Sequence, residues 1–160
     1  MPFIILYSEE GKTEEQKQKV STDITLGISK HFKIPKQAVR IIFQEPKENQ
    51  ISYSGWLKSS PEYKAKKAEL QNTKPNTQLT MPLVILYTEE GKTEEQYQEA
   101  AKDITNAISK HFDIPEQAVR IIFQELKKNR IASGGLLESS PEYKAKKKLA
   151  QIQNTKIEPE

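Results

Sequence analysis

The sequence contains no cysteine, and only 35% of its residues are hydrophobic. The first absence excludes a disulfide framework and a thiolate metal site. The second means that a small folding unit of this chain buries a modest core, so association between copies is expected to supply the rest. Long apolar runs are missing too. The run Phe3 to Tyr7 is far too short for a signal peptide and has no basic flank before it. No stretch approaches the ~20 residues of a membrane-spanning helix. The chain is therefore expected to be cytoplasmic, with no membrane partner. Charge of one sign is also scarce. A net charge of +3 over 160 residues singles out no class of partner. The basic runs Lys64 to Lys67 and Lys144 to Lys148 have little aromatic interleaving. They are read as a solvated helix face, and no nucleic-acid partner is expected.

What is present is a repeat. The opening segment Met1 to Thr13 returns as Met81 to Thr93, an offset of 80 residues. Roughly two thirds of the first seventy positions are identical between the copies. The period is too long, and the copies too few, for a solenoid. A duplication in which both copies keep one fold is the expectation: units at 1–71 and 81–153, a linker at 72–80, and a flexible tail at 154–160.

Each unit has the same grammar. Phe3 to Tyr7 is a continuous β-prone run, which suits a strand buried on both faces, as in a parallel sheet. Gly11-Lys12 makes a turn. Thr13-Glu14-Glu15-Gln16 and Thr93-Glu94-Glu95-Gln96 are capping boxes at helix starts. Val20, Ile24, Ile28 and Phe32 follow in steps of four, as do Ala100, Ile104, Ile108 and Phe112. Pro35 and Pro115 end these helical regions. Val39 to Glu45 and Val119 to Glu125 are second strands, so each unit reads as a right-handed βαβ crossover. Asn49 to Gly55 and Asn129 to Gly135 read as loops or short hairpins. Ser60-Pro61-Glu62 starts a helix running to about Leu70. His31 and His111 are read as surface or packing residues.

The copies differ in one chemical respect. Removal of Met1, which a small residue at position two favours, leaves Pro2 as a free secondary amine. Pro82 is amide-bonded to Met81 and has no free nitrogen.

Pro directly after Met, the apolar strand, Gly-Lys-Thr-Glu-Glu-Gln, the long helix and Val-Arg-Ile-Ile-Phe-Gln-Glu together resemble the tautomerase superfamily. The pattern is that of the 4-oxalocrotonate tautomerases, over about the first 57 residues of each copy, and the duplication is similar to the fused members. The resemblance implies an α/β (α+β) fold, with a four-stranded sheet and two long helices on one face. It implies a homotrimer of such chains and no cofactor or metal. Pro2 is then the general base or acid in keto–enol tautomerisation of a small 2-keto or enol acid. A free α-amino group has a pKa near ~8, and apolar burial or nearby cations lower it, toward the working pH of a base. Arg40 and Arg120 match the family's strand arginine, a fork for the substrate carboxylate. Lys12 and Lys92 stand where the family carries a second arginine, offering a point charge instead. The loop aromatic of the family is absent, its positions being Ile51 and Ile131; Tyr53 and Trp56 occur nearby in the first copy only. Two alternatives stay open: dehalogenation of a haloacrylate or decarboxylation of a β-keto acid in the same site, and a non-catalytic oligomeric scaffold.

Overall fold

The helix starts show why these residues fold as they do. In the computed structural model, which describes residues 2–53, 55–70 and 81–155, strand β1 (Phe3–Tyr7) leads to a turn at Gly11, where φ is +102° and glycine is favoured. Helix α1 (Glu14–Phe32) begins with a closed capping box. Thr13 Oγ1 accepts from the Gln16 amide at 3.1 Å, and Gln16 Oε1 accepts from the Thr13 amide at 2.9 Å. The helix stops at Phe32, short of Pro35, because Lys33 turns left-handed with φ 55°. That conformation costs roughly 1–2 kcal/mol for an L-residue. Ser29 offsets it: its carbonyl accepts the Lys33 and Ile34 amides, and its hydroxyl donates to the Ile34 carbonyl at 2.6 Å.

Strand β2 (Arg40–Gln44) then runs parallel to β1, with Arg40 beside Phe3 and Gln44 beside Tyr7. A hairpin of β3 (Ser52–Tyr53) and β4 (Trp56–Leu57) precedes helix α2 (Pro61–Leu70). Ser60 Oγ caps α2 by accepting from the Tyr63 amide at 3.1 Å. The second half repeats the order as β5 (Leu83–Glu89), α3 (Glu94–Phe112), β6 (Arg120–Leu126), β7 (Ala132–Ser133), β8 (Leu136–Leu137) and α4 (Pro141–Thr155). Helix α4 has no glycine or proline after its first residue, and it continues through Asn154 and Thr155, where the sequence suggested a loose tail. The suggested linker at 72–80 and residues 156–160 lie outside the described residues.

The two βαβ units form one sheet of order β2-β1-β5-β6, with β1 and β5 antiparallel about Ile5 and Ile85. Both long helices cover one face of it. Ile4, Leu6, Val84 and Leu86 are fully buried there against Val20, Ile24, Ile28, Ile104 and Ile108. This is the four-stranded arrangement the sequence predicts, with one correction. β1 is not buried on both faces: Ile4 and Leu6 are buried, while Phe3, Ile5 and Tyr7 are half-exposed. The reason is that both helices lie on one side, and the central pairing is antiparallel rather than parallel. Among the described residues no helix is long and apolar enough to cross a membrane.

The helices are locked together reciprocally. Gln16 Nε2 donates to the His111 carbonyl at 3.1 Å, and Gln96 Nε2 donates to the His31 carbonyl at 2.9 Å. Each glutamine thus satisfies an orphan carbonyl in the last turn of the other repeat's helix. His31 Nε2 meets Asp103 Oδ2 at 2.8 Å, and His111 Nε2 meets Asp23 Oδ2 at 2.6 Å. The histidines are packing residues, tied across the repeat boundary.

Gly27 marks a close approach of the two helices. A Cβ built there would lie 2.7 Å from Asp103 Cβ and 2.8 Å from Asp103 Oδ2. Alanine is favoured over glycine in a helix by about 1 kcal/mol, but overpacking costs roughly 1–3 kcal/mol. Gly27→Ala should therefore lower the urea midpoint of unfolding, by a net ~1 kcal/mol in stability. A raised midpoint would show that the helices yield at this point.

Candidate active site

Pro2 is buried at the head of β1, and its carbonyl accepts the Arg40 amide at 3.3 Å. Pro82 is buried at the head of β5, and its carbonyl accepts the Arg120 amide at 3.1 Å. Because β1 and β5 are antiparallel, these two pairs lie at opposite ends of the sheet. The same antiparallel pairing carries the turn after β5, with Lys92, to the Pro2 end. Lys92 Nζ sits 5.6 Å from the ring centroid of Phe32, the last residue of α1. Lys12 Nζ sits 5.3 Å from the Phe112 ring at the other end. The five residues singled out in the sequence therefore divide as Pro2, Arg40 and Lys92 at one end, and Pro82's neighbours Arg120 and Lys12 at the other. Each end draws its lysine from the other repeat, which spacing alone does not reveal.

The open face of the sheet carries a groove of about 520 Å³ at the Pro2 end. Phe3, Ile5 and Tyr87 form its floor, with the Phe3 and Tyr87 rings 6.4 Å apart. Arg40 stands on one side; Leu126, Ile131 and Ser133 stand on the other, with Glu89 and Glu138. Ile131 gives the loop position an aliphatic surface in place of an aromatic one. A cavity of about 230 Å³ lies at the other end. Among the described residues its lining holds Lys58, Glu9, Glu10 and Glu48, and no arginine. Trp56 turns its ring to Lys66, whose Nζ lies 4.8 Å from the centroid. Among the described residues no group of three or more His, Asp or Glu side chains is arranged to hold a metal ion.

Sequence reasoning missed a second difference between the ends. Tyr97 packs edge-on to Phe32 at 5.9 Å and against Phe123 at 4.7 Å, and its hydroxyl donates to Glu125. The matching position in the first repeat is Lys17, which pairs with Glu45 at 2.5 Å. The signal was present as a Lys-to-Tyr difference between two otherwise similar helix starts.

The sequence and the fold are shared with known proteins. The family model described as Tautomerase enzyme matches residues 2–60 and 82–145. A probable tautomerase of Lactiplantibacillus plantarum is 37% identical over 62 residues, which is 39% of this chain and 97% of the relative. A 2-hydroxymuconate tautomerase of Pseudomonas putida is 36% identical over 55 residues, or 34% of this chain and 87% of the relative. Among solved structures, the R7 fused 4-OT wild type asymmetric trimer superposes with a TM-score of 0.65 at 18% identity, covering 85% of this chain and 95% of that one. N1, a member of the cis-3-chloroacrylic acid dehalogenase family, gives 0.58 at 15% identity over 97% of this chain and 99% of that one. At these identities the structures show the shared fold.

Burial of Tyr97 first, then its hydrogen bond to Glu125 and the charge of that carboxylate, push the phenol above its ordinary value. A raised folded-state value means that the associated stability is complete below the unfolded pKa of about 10 and is lost as pH rises through the folded one. Wild type should exceed Tyr97→Phe in stability by about 1 kcal/mol at pH 8. The gap should close as the pH is taken above about 10. Denaturant unfolding across this range checks it; a constant gap would contradict the assignment.

Proposed function

We propose, for a chain that belongs to the tautomerase family of isomerases, that Pro2 is the base of a keto–enol tautomerase acting on small 2-keto or enol carboxylic acids once Met1 has been removed. The observation that supports this reading is the bond from the Arg40 amide to the Pro2 carbonyl, which sets the strand arginine beside the proline at one end of the sheet; Pro2 and Lys92 are not among the residues that line the open-face groove. The neutral ring nitrogen takes a proton from the carbon beside the substrate carbonyl, or from the enol hydroxyl. It returns the proton at the other position, acting as base and then as acid. Positive charge from Arg40 and Lys92 favours the neutral amine. Arg40 offers a bidentate fork to the carboxylate. Lys92 supplies charge for the enolate oxygen that develops. At the other end, Arg120 and Lys12 accompany Pro82, whose nitrogen is an amide, so that end retains cations for an anion without a base.

We read the working form as a homotrimer. Support comes from the open face, where Ile42, Ile5, Ile85 and Ile122 stand in one row across the four strands. Ile42 and Ile122 are 41% and 43% exposed, a surface that association would cover. A fused 4-OT of the same fold is described as a trimer.

Ketonisation of an enol acid by purified, Met1-free protein tests the reaction. Pro2→Ala should cost about 10²–10⁴-fold in kcat, while Pro82→Ala should leave turnover nearly unchanged. Equal losses from both would contradict the scheme. Light scattering should return the mass of three chains, and a stable monomer at micromolar concentration would rule the trimer out.

A further inference from the structure

Helix α4 is a long element that the fold leaves uncovered. From Pro141 to Asn154 only Tyr143 is half-buried, and every other residue is exposed. The first turn is fixed: Ser140 Oγ accepts the Tyr143 amide at 3.2 Å, and the Tyr143 hydroxyl donates to Glu138 Oε1 at 3.3 Å. Beyond that turn Ala145, Leu149 and Ile152 recur at helical spacing and share one face. Leu149 is 60% exposed and Ile152 48%. Lys144 and Lys148 flank this stripe on one side and Lys146 on the other. Helices of ~12–15 residues are marginal in water unless an amphipathic face is packed. The stripe therefore marks a face for a partner to cover. The first repeat lacks it, since α2 carries Ala68 and Glu69 where α4 has Lys148 and Leu149.

A receptor of opposite charge lies on the same chain, in the other repeat. The cavity of about 230 Å³ at the Pro82 end is lined by Glu9, Glu10 and Glu48 around Pro46 and Ile51, with Lys58 bonded to Glu9 at 2.9 Å. Glu10 and Glu48 are exposed. The second repeat has Lys128 in place of Glu48, so the acidic cavity belongs to the first repeat as the basic helix belongs to the second. Pro46, Glu48 and Ile51 follow β2, and α4 follows the hairpin after β6; β2 and β6 are the opposite edges of the sheet. Within one chain the two patches do not cover each other: Leu149, Ile152, Glu10 and Glu48 all remain exposed. Two complementary patches at opposite edges make a head-to-tail contact, and three copies about a threefold axis are one ring that such a contact closes. The 15 residues of α4 span about 22 Å, enough to reach over an edge onto a neighbour. Two α4 helices packed on each other would instead set lysines against lysines, which is repulsive.

We propose that α4 is an arm that docks on the acidic cavity of a second copy of this chain, its lysines beside Glu10 and Glu48 and its apolar stripe over Pro46 and Ile51. This deepens the trimer reading and rests on it for the number of copies, but the contact itself is tested by exchanging charge. Sedimentation of the full chain over a range of concentrations reads the dissociation constant of the assembly. Lys146→Glu with Lys148→Glu, and separately Glu10→Lys with Glu48→Lys, should each raise it about tenfold or more. All of these changes in one chain should return it to within about threefold of wild type. Leu149→Ser with Ile152→Ser, which leaves the charges in place, should also weaken assembly severalfold. Assembly that ignores both charge reversals, or that the fully exchanged chain fails to recover, would overturn the inference; a wild-type mass of three chains would then leave the trimer standing without the arm. An assembly of another size that still follows the exchange would remove the trimer and keep the arm. A chain that is monomeric at every concentration would overturn both. Binding of wild type to phosphatidylglycerol vesicles, lost on Lys146→Glu with Lys148→Glu while assembly is untouched, would give α4 to a lipid surface and overturn the inference.

Discussion

The antiparallel pairing of β1 with β5 about Ile5 and Ile85 determines the rest of the molecule. It makes one sheet of two βαβ units and puts both long helices on the same face. It also sends the turn of each repeat to the proline end of the other. Lys92 reaches Phe32, and Gln96 reaches the His31 carbonyl, because β5 runs opposite to β1. Separate packing of each repeat would leave the last-turn carbonyls of both helices without these donors. It would also take Lys92 away from Phe32 and Lys12 away from Phe112. Burial of Ile4, Leu6, Val84 and Leu86 under the helices makes the pairing favourable, at roughly 1.5–3 kcal/mol for each large side chain fully buried.

Around this twofold frame the two ends have become chemically different. The backbone bonds from Arg40 to Pro2 and from Arg120 to Pro82 are alike. The side chains around them are not. Tyr97 with Glu125 takes the place that Lys17 with Glu45 has in the first repeat, and Glu138 takes that of Lys58. The end that carries Tyr97 and Glu138 also carries the groove of about 520 Å³ on the open face.

Local features were legible in the sequence. The capping boxes at Thr13 and Thr93, the stripes from Val20 to Phe32 and from Ala100 to Phe112, and the strand–helix–strand order all rest on contacts a few residues apart. The faces of β1 were not legible, because Phe3, Ile5 and Tyr7 on the open face are as apolar as Ile4 and Leu6 beneath the helices. Alternation is then invisible to a hydrophobicity pattern. The partnership of His31 with Asp103 spans 72 positions and leaves no periodic trace. Pro2, Arg40, Arg120, Lys12 and Lys92 were all visible as candidates, but their division into two ends follows from strand direction.

A site assembled across the repeats is tested most directly by comparing Lys92→Met with Lys12→Met in the Met1-free protein, using kcat/KM for an enol acid. Loss of a charge-assisted contact at the Pro2 end should make Lys92→Met about one decade slower. Lys12→Met, at the end where Pro82 is blocked, should stay within about twofold of wild type. The reverse order, with Lys12 the sensitive residue, would contradict a site formed by Pro2 of one repeat and the lysine of the other.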